Sequence, residues 1–400
     1  MIFALDPLLN NLDLTAVLVM LAKILVAFTF LMVSVILMIW FERKLHADFS
    51  NRLGPRWAGP FGVLQTLADG MKIMFKSDLI PDRADKAVFK YAPFLSLVPA
   101  FLVFSVIPIG GNFNGDKGGM VEIAGKQTMM QVADPHMGVL VILAMSGLAV
   151  YGIMLAGWSS GSKYPLLGAV RASAQMVSYE AALGLSVLAV LLNSGSLSTN
   201  AIVNSQSTWG WNAWSTGIIP FIVFIIAATA ELNRPPFDLV EAEQELVGGF
   251  HTEYAGFRFA IFYVAEFMNV VTMSTIIVTL FLGGPAGPDF GITGWVSDYL
   301  LPFLWFFLKV IAVLIMFVQF RTTLPRLRYD QLMDLGWKIL IPLSLGWFLL
   351  LAAFKVADTE NWNPVLTGAV GLLVIMVGAA LLSVAVRTAR YRRTAEKVGV

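Results

Sequence analysis

The sequence predicts an all-α polytopic membrane protein with about nine transmembrane helices and one amphipathic surface helix. Hydrophobic residues make up 58% of the 400 residues and charged residues 13%, and the mean hydropathy is +0.76. A soluble chain is roughly 45–50% apolar and about 25% charged, so this composition is that of a membrane protein. The net charge of +1 argues against nucleic acid as a partner.

Nine apolar segments divide the chain, and each is close to the length that a helix needs to cross a bilayer. They are residues 15–41, 93–109, 137–157, 172–192, 217–231, 257–282, 301–320, 335–354 and 364–386. We take residues 1–354, which hold eight of these segments, as the core of the protein. Residues 355–400 form an additional helix and a basic tail.

The loop charges predict the orientation of these spans. Of the 27 Lys and Arg residues, 22 fall in loops on one side of the predicted membrane and three on the other. Positive residues stay on the cytoplasmic side. We therefore expect the N-terminus outside and the C-terminal tail in the cytoplasm.

The composition also excludes several kinds of chemistry. Cysteine is absent, which excludes disulfides, thiolate zinc sites, Cys-ligated iron–sulfur clusters and c-type haem. The three histidines, His46, His136 and His251, lie outside the apolar segments, and no glycine-rich nucleotide loop is present. We expect no metal site, redox centre or nucleotide site in this chain.

The loop after the first span predicts an amphipathic helix over residues 61–76, with Pro60 at its start. Apolar and polar residues there recur every three or four positions. The apolar stripe is Phe61, Leu64, Ala68, Met71 and Phe75, and the polar stripe is Gln65, Asp69, Lys72 and Lys76. Such a helix lies at the membrane surface, where it either only anchors the loop or also lines a site.

The segment between the fifth and sixth spans is acidic on a side that is otherwise basic. Its carboxylates are Glu231, Asp238, Glu241, Glu243, Glu245 and Glu253, and Arg234 lies among them. Close like charges raise some pKa values toward neutrality, and such groups hold and pass protons near pH 7. The alternative is a solvated acidic face.

Charged residues also occur inside the predicted spans. Glu180, Glu266 and Lys309 are placed there, although a charge at mid-membrane costs about 2.5–3.5 kcal/mol on insertion scales. Such residues mark ion or proton paths, or else they are neutral or locally paired structural groups. Arg321 and Arg326 form a basic cluster beside Asp330, which the positive-inside rule alone would also explain.

Four segments, in order along the chain, resemble a single family. They are ERK…NRLGP…GPFGVLQTLADGMK, GWSS…KYPLLGAVRASAQ…SYE, AELNRPPFDLVEAEQELVGGFHTEY and PRLRYDQLM…WK. Together they resemble the H-type membrane subunit of NADH:quinone oxidoreductase, respiratory complex I, whose mitochondrially encoded counterpart is subunit 1. The resemblance covers about residues 16–354. The ninth span and the long 110–136 loop depart from the usual eight-span pattern of this family.

The resemblance implies a function. The chain would join a membrane arm to a hydrophilic arm, build a quinone chamber with peripheral subunits, and relay charge through buried acids toward antiporter-like subunits. Ubiquinone or menaquinone would be the substrate, and FMN and iron–sulfur clusters would belong to partner subunits. The protein would be part of a proton-translocating enzyme in the bacterial inner membrane, in contact with lipid and other complex I subunits.

Three groups of candidate residues follow from the matching motifs. The quinone chamber or its entrance would be lined by Glu42, Arg43, Arg52, Phe61, Asp69, Lys72 and Arg234. Protons or charge would be relayed by Glu180, Glu231, Asp238, Glu241, Glu243, Glu245 and Glu266. Docking or counter-charge would be provided by Arg171, Lys309, Arg321, Arg326 and Asp330.

Two other functions remain open from the sequence. A related membrane subunit of a respiratory-type nickel–iron hydrogenase complex shares the ancestry, although the first-loop motif and the dense acidic loop favour the quinone enzyme. A stand-alone secondary transporter would favour paired repeats with helices broken at mid-membrane, which the sequence does not display.

The predicted topology is testable at the tail. Five of the last 14 residues are basic, so a reporter fused after Val400 should be labelled only from the cytoplasmic side. The measurement compares labelling in intact cells with labelling in inverted vesicles. Labelling from outside would show that the ninth segment does not cross the membrane or that an earlier span is wrong.

Overall fold

The computed structural model describes residues 6–10, 13–113, 118–207, 210–239, 246–288, 291, 294–360, 362–363 and parts of 365–388. Within these residues the protein is a bundle of long helices with one small hairpin. The all-α polytopic membrane fold that the composition predicts is confirmed.

We number the helices and strands in chain order. They are α1 (Leu14–Phe49), α2 (Gln65–Met74), α3 (Lys86–Phe104), β1 (Met120–Ile123), β2 (Lys126–Met129), α4 (Gly138–Ser159), α5 (Lys163–Ser194), α6 (Thr199–Ser205), α7 (Asn212–Ser215), α8 (Ile218–Glu231), α9 (Gly256–Phe281), α10 (Leu301–Thr323), α11 (Tyr329–Leu335) and α12 (Ile341–Thr359). A π-helical turn, Val296–Leu300, leads into α10, and another, Gly336–Leu340, joins α11 to α12.

The predicted spans appear as helices. In the described part of the chain, seven helical stretches are long and apolar enough to cross a membrane, and α8, with 14 residues, is a shorter apolar helix. These eight correspond to the first eight predicted segments. The ninth, residues 364–386, lies where the structure describes only part of the chain, so it stays a prediction.

Contacts between loops define two faces of the bundle. On one face Leu327 N donates to Pro236 O at 3.1 Å, and on the other Val139 N donates to Leu197 O at 3.0 Å. We call the first the basic face. It comprises residues 50–85, 160–162, 232–239, 246–255 and 324–328. Successive loops along the chain alternate between the two faces, because each spanning helix crosses the bundle from one face to the other.

The long loop before α4 lies on the opposite face and forms the antiparallel β1–β2 hairpin. Lys23 of α1 lies 2.5 Å from Asp6 Oδ2 and donates to Thr128 Oγ1 of β2 at 2.9 Å. The lysine therefore links the start of the first helix to the hairpin.

Small residues let the central helices pack closely. A Cβ at Gly152 of α4 would overlap Ser96 Oγ of α3, and one at Gly157 would overlap the Cβ of Ala169 of α5. Membrane helices commonly approach each other through such positions. Helix α9 is the most enclosed, because 78% of its apolar window is buried, against at most 56% in the other six long helical stretches.

Candidate functional site

The predicted surface helix is present but begins later than expected. A 3₁₀ turn covers Pro60–Gly62, and α2 starts at Gln65 rather than at Phe61. Phe61 has a φ of +54°, which is incompatible with a right-handed helix. Its carbonyl accepts a hydrogen bond from Trp40 Nε1 of α1 at 3.1 Å, so this turn is attached to the first span.

Arg43, near the end of α1, attaches α2 to the bundle. Its Nη1 lies 2.5 Å from Asp69 Oδ2, and Tyr263 of α9 lies close to the guanidinium. Gln65 donates to the other oxygen of Asp69 at 3.0 Å. The hydrogen bond from Arg43 holds the pKa of Asp69 below its usual range.

Four side chains of alternating charge meet at the basic face, and we call them the Arg234 cluster: Arg321, Glu42, Arg234 and Glu266. Arg234 Nη1 lies 3.0 Å from Glu42 Oε1, and its Nε lies 3.1 Å from Glu266 Oε1. Arg321 of α10 also contacts Glu42. Glu42 is only 5% exposed, and the Arg234 guanidinium lies 4.4 Å from the ring centroid of Phe267. The cluster thus joins α1, α9, α10 and the turn after α8.

Gln175 of α5 holds the turn that carries Arg234. Its buried side-chain nitrogen lies 2.8 Å from Ala230 O, 3.1 Å from Phe237 O and 3.1 Å from Asn233 Oδ1. A buried amide with several acceptors fixes the backbone around it. The position of Arg234 therefore depends on a neutral residue in another helix.

Two further charged side chains near this face, Asp238 and Arg171, have contacts within the chain. Asp238 is buried, and its Oδ2 lies 3.0 Å from Arg326 Nη2. The guanidinium of Arg171 lies 5.7 Å from the ring centroid of Tyr329, which precedes Asp330 at the start of α11.

A cavity of ≈ 250 Å³ adjoins the Arg234 cluster through Glu266. Its titratable lining residues are Glu231, His251, Tyr263 and Glu266. Glu231 Oε2 and Ser96 Oγ, both at this cavity, are buried and have no hydrogen-bond partner among the described residues. Because buried polar atoms are usually paired, we expect water in this space, which has room for several molecules.

Glu180 extends the acidic residues further into the membrane. It lies on α5, and a Cβ at Gly147 of α4 would approach its Oε1 to 3.1 Å, so the glycine leaves room for the carboxyl. A second cavity of ≈ 540 Å³ between α4 and α5 is lined by Glu180, Ser173 and Tyr151.

Lys309 lies elsewhere. Its Nζ donates to the carbonyls of Leu282, Gly284 and Ala286 at 2.8, 2.9 and 2.7 Å, on the opposite face of the bundle. A cation at these carbonyls caps the end of α9. This lysine stabilises a helix end and does not contact the Arg234 cluster.

Other predicted residues are also apart from the cluster. Arg52 and Lys72 are exposed on the basic face. Glu241, Glu243 and Glu245 lie outside the described residues, so their predicted roles remain predictions.

The structure adds Gln175, Tyr263 and His251 to the residues that the sequence singled out. A neutral amide, a tyrosine and a lone histidine produce no charge pattern in a sequence. Their position in resembling segments was the available signal for Gln175 and His251, but only the contacts reveal what they touch.

The fold and site define a multi-pass helical membrane protein with a connected set of charged side chains, from buried to partly exposed, at one face. The sequence model of the NADH dehydrogenase family matches residues 22–352. The chain therefore belongs to this family of complex I membrane subunits.

Three curated proteins with similar sequences are each named as the H subunit of NADH-quinone oxidoreductase. The protein from Frankia alni is 49% identical over 89% of this chain and 77% of its own length. The protein from Streptomyces avermitilis is 46% identical over 85% and 74%. The protein from Cutibacterium acnes is 43% identical over 88% and 82%.

The ion pair between Arg234 and Glu266 is testable by a double-mutant cycle. Removing one partner of a fully buried pair costs about 3–5 kcal/mol. The loss at this pair should be smaller, because Arg234 also pairs with Glu42 and the Glu266 side chain is 26% exposed. Arg234→Gln and Glu266→Gln should each lower the melting temperature of the assembled complex. The double variant should lose less than the sum of the two single losses.

Lys338→Gln is the matched control, because it removes an exposed pair with Asp334 one turn away, where the nitrogen–oxygen distance is 2.8 Å. Such pairs contribute about 0.3–0.5 kcal/mol, so the melting temperature should hardly change. Additive losses in the Arg234–Glu266 cycle would show that the two residues are not coupled.

Proposed function

We propose that this chain is the membrane subunit of a proton-translocating NADH:quinone oxidoreductase that lines the quinone chamber and relays charge from it into the membrane. The observation that carries the proposal is the continuous contact from Arg321 through Glu42 and Arg234 to Glu266, which lines the cavity that also holds Glu231. The names of the curated relatives support quinone as the substrate.

The surface helix suits an entrance for a long apolar substrate. Helix α2 lies against α1 and α9, and Phe75, just after it, is 89% exposed. A quinone carries an isoprenoid tail that stays in the bilayer and a polar ring that needs hydrogen-bond donors. The apolar stripe of α2 would contact the tail, and the half-exposed Arg43 would offer a donor to the ring.

The reaction requires charge to move. Reducing a quinone to a quinol takes two electrons and two protons; the electrons would arrive from partner subunits, since this chain contains no cysteine to hold a cluster. The Arg234 cluster contains two cations and two anions, so it is neutral when all four are charged. A proton taken up by Glu266 would remove one of the two negative charges beside Arg234 and so strengthen the pairing of Arg234 with Glu42.

Such a change in charge would alter the proton affinity of neighbouring carboxyl groups. At an effective dielectric constant of about 20, two unit charges about 8 Å apart interact by about 2 kcal/mol. That energy exceeds one pKa unit, about 1.4 kcal/mol, and so changes a proton affinity more than tenfold. Charge at the chamber would in this way drive protons on and off Glu231 and then Glu180.

Partner subunits complete the proposal. Glu180 lines a cavity between α4 and α5 inside the membrane, where an uncovered carboxyl is costly. We expect helices of other membrane-arm subunits to cover it. On the basic face, exposed Arg52 and Trp57 lie in the first loop, where peripheral-arm subunits would dock.

The entrance is tested by Arg43→Ala. The variant should lower quinone-dependent NADH oxidation several-fold, because α2 loses its tie to α1 and α9. Oxidation of NADH by a soluble artificial acceptor, which takes electrons in the peripheral arm, should stay unchanged. Lys355→Ala, exposed near the end of α12 and away from this loop, is the control. Equal loss of both activities in Arg43→Ala would indicate failed assembly rather than a role at the entrance.

The relay is tested by Glu231→Gln, which keeps the shape of the side chain but cannot release a proton. In proteoliposomes containing the whole complex, quinone reduction and proton pumping should fall together by tenfold or more. Glu122→Gln, in the hairpin on the opposite face, should leave both rates unchanged. A fully assembled Glu231→Gln complex that pumps at the wild-type rate would refute the relay.

A further inference from the structure

His251 is a titratable cavity residue that the proposed relay does not use. It lies in the 3₁₀ turn Gly249–His251, just before α9. Its ring packs edge-on against Phe250 and Phe259, with centroids 4.9 and 5.4 Å away. The imidazole lines the same ≈ 250 Å³ cavity as Glu231 and Glu266.

The cavity reaches from an exposed loop to a buried acid. Val247, 60% exposed, and Glu231, 8% exposed, both line it. The unpaired Ser96 Oγ and Glu231 Oε2 argue for water along its length. Water in this cavity can therefore approach both His251 and Glu231.

The walls around His251 are otherwise mostly uncharged. Helices α3, α4 and α5 contribute Ser96, Ala149, Ile153 and Met176 to the lining. The titratable groups that the packed elements present are Glu231 from α8 and Tyr263 and Glu266 from α9. Arg234, the nearby fixed positive charge, is paired with Glu266.

Burial among these groups lowers the pKa of His251 to about 4. The imidazole is therefore neutral at pH 7, with one ring nitrogen as acceptor and the other as donor. A neutral imidazole passes a proton without holding a charge for long, because it binds one proton as it releases another.

We propose that His251 relays protons between water at the 246–251 loop and the carboxylates of Glu231 and Glu266. This inference rests on the proposed relay function of those acids. A proton from loop water binds one ring nitrogen, and the proton on the other nitrogen passes through cavity water to a carboxylate. The ring then returns to its first tautomer by turning over, so no net charge stays on it.

The test measures proton pumping by the whole complex in proteoliposomes from pH 6 to pH 8. His251→Gln keeps a polar side chain that does not titrate, and His251→Phe keeps the ring volume. Both should pump at least fivefold more slowly at pH 8 and closer to wild type at pH 6, because protons are scarcer at high pH. NADH oxidation by the soluble acceptor reports the amount of assembled enzyme. His136→Gln, on the opposite face, is the control and should behave as wild type.

A purely structural role for His251 predicts a defect that is the same at every pH. Added imidazole should restore pumping to His251→Ala, which a packing defect would not allow. If Glu231→Gln blocks pumping while His251→Gln and His251→Phe follow the wild-type pH profile, this inference fails alone. If Glu231→Gln pumps normally, the proposed function fails first.

Discussion

The burial of Arg234 between two carboxylates is the interaction on which the basic face depends. Removing a guanidinium from water costs several kcal/mol, and only close carboxylates and further hydrogen bonds offset that cost. Glu42 and Glu266 come from helices far apart in the sequence, and Gln175 fixes the turn between them. The cluster therefore brings α1, α9 and α10 together around the turn after α8. The cavity lined by Glu266 lies beside this contact.

Much of the fold could be predicted from the sequence because apolar runs of about 20 residues have few alternatives to a spanning helix. Each of the first eight segments coincides with a helix, although several helices extend beyond the predicted limits. The start of α2 could not be predicted in this way, since helical periodicity continues through Phe61 although the backbone there has a positive φ. Local torsions depend on contacts such as that with Trp40, which periodicity does not encode.

The sequence predicts which residues belong to the candidate site, but it does not predict which of their side chains pair with each other. The matching motifs identify Glu42 and Arg234 as candidates, and the cost of a charge inside a span identifies Glu266. Glu42 and Arg234 are nevertheless 192 positions apart in the chain. Their pairing follows from tertiary packing alone. Lys309 is the instructive opposite case, because its position within a span suggested a charge path, whereas three backbone carbonyls at a helix end account for it. A charged residue inside a span can therefore be assigned a functional or a structural role only after its contacts are known.

The caging of Lys309 has a mechanical consequence for α9. Beyond its C-terminal end the lysine binds the carbonyls that follow this helix, and within its first half Glu266 pairs with Arg234, while close neighbours enclose the helix. Sliding of α9 along its axis would break both contacts. Changes in side-chain rotamers, water positions and protonation near Glu266 require no such sliding.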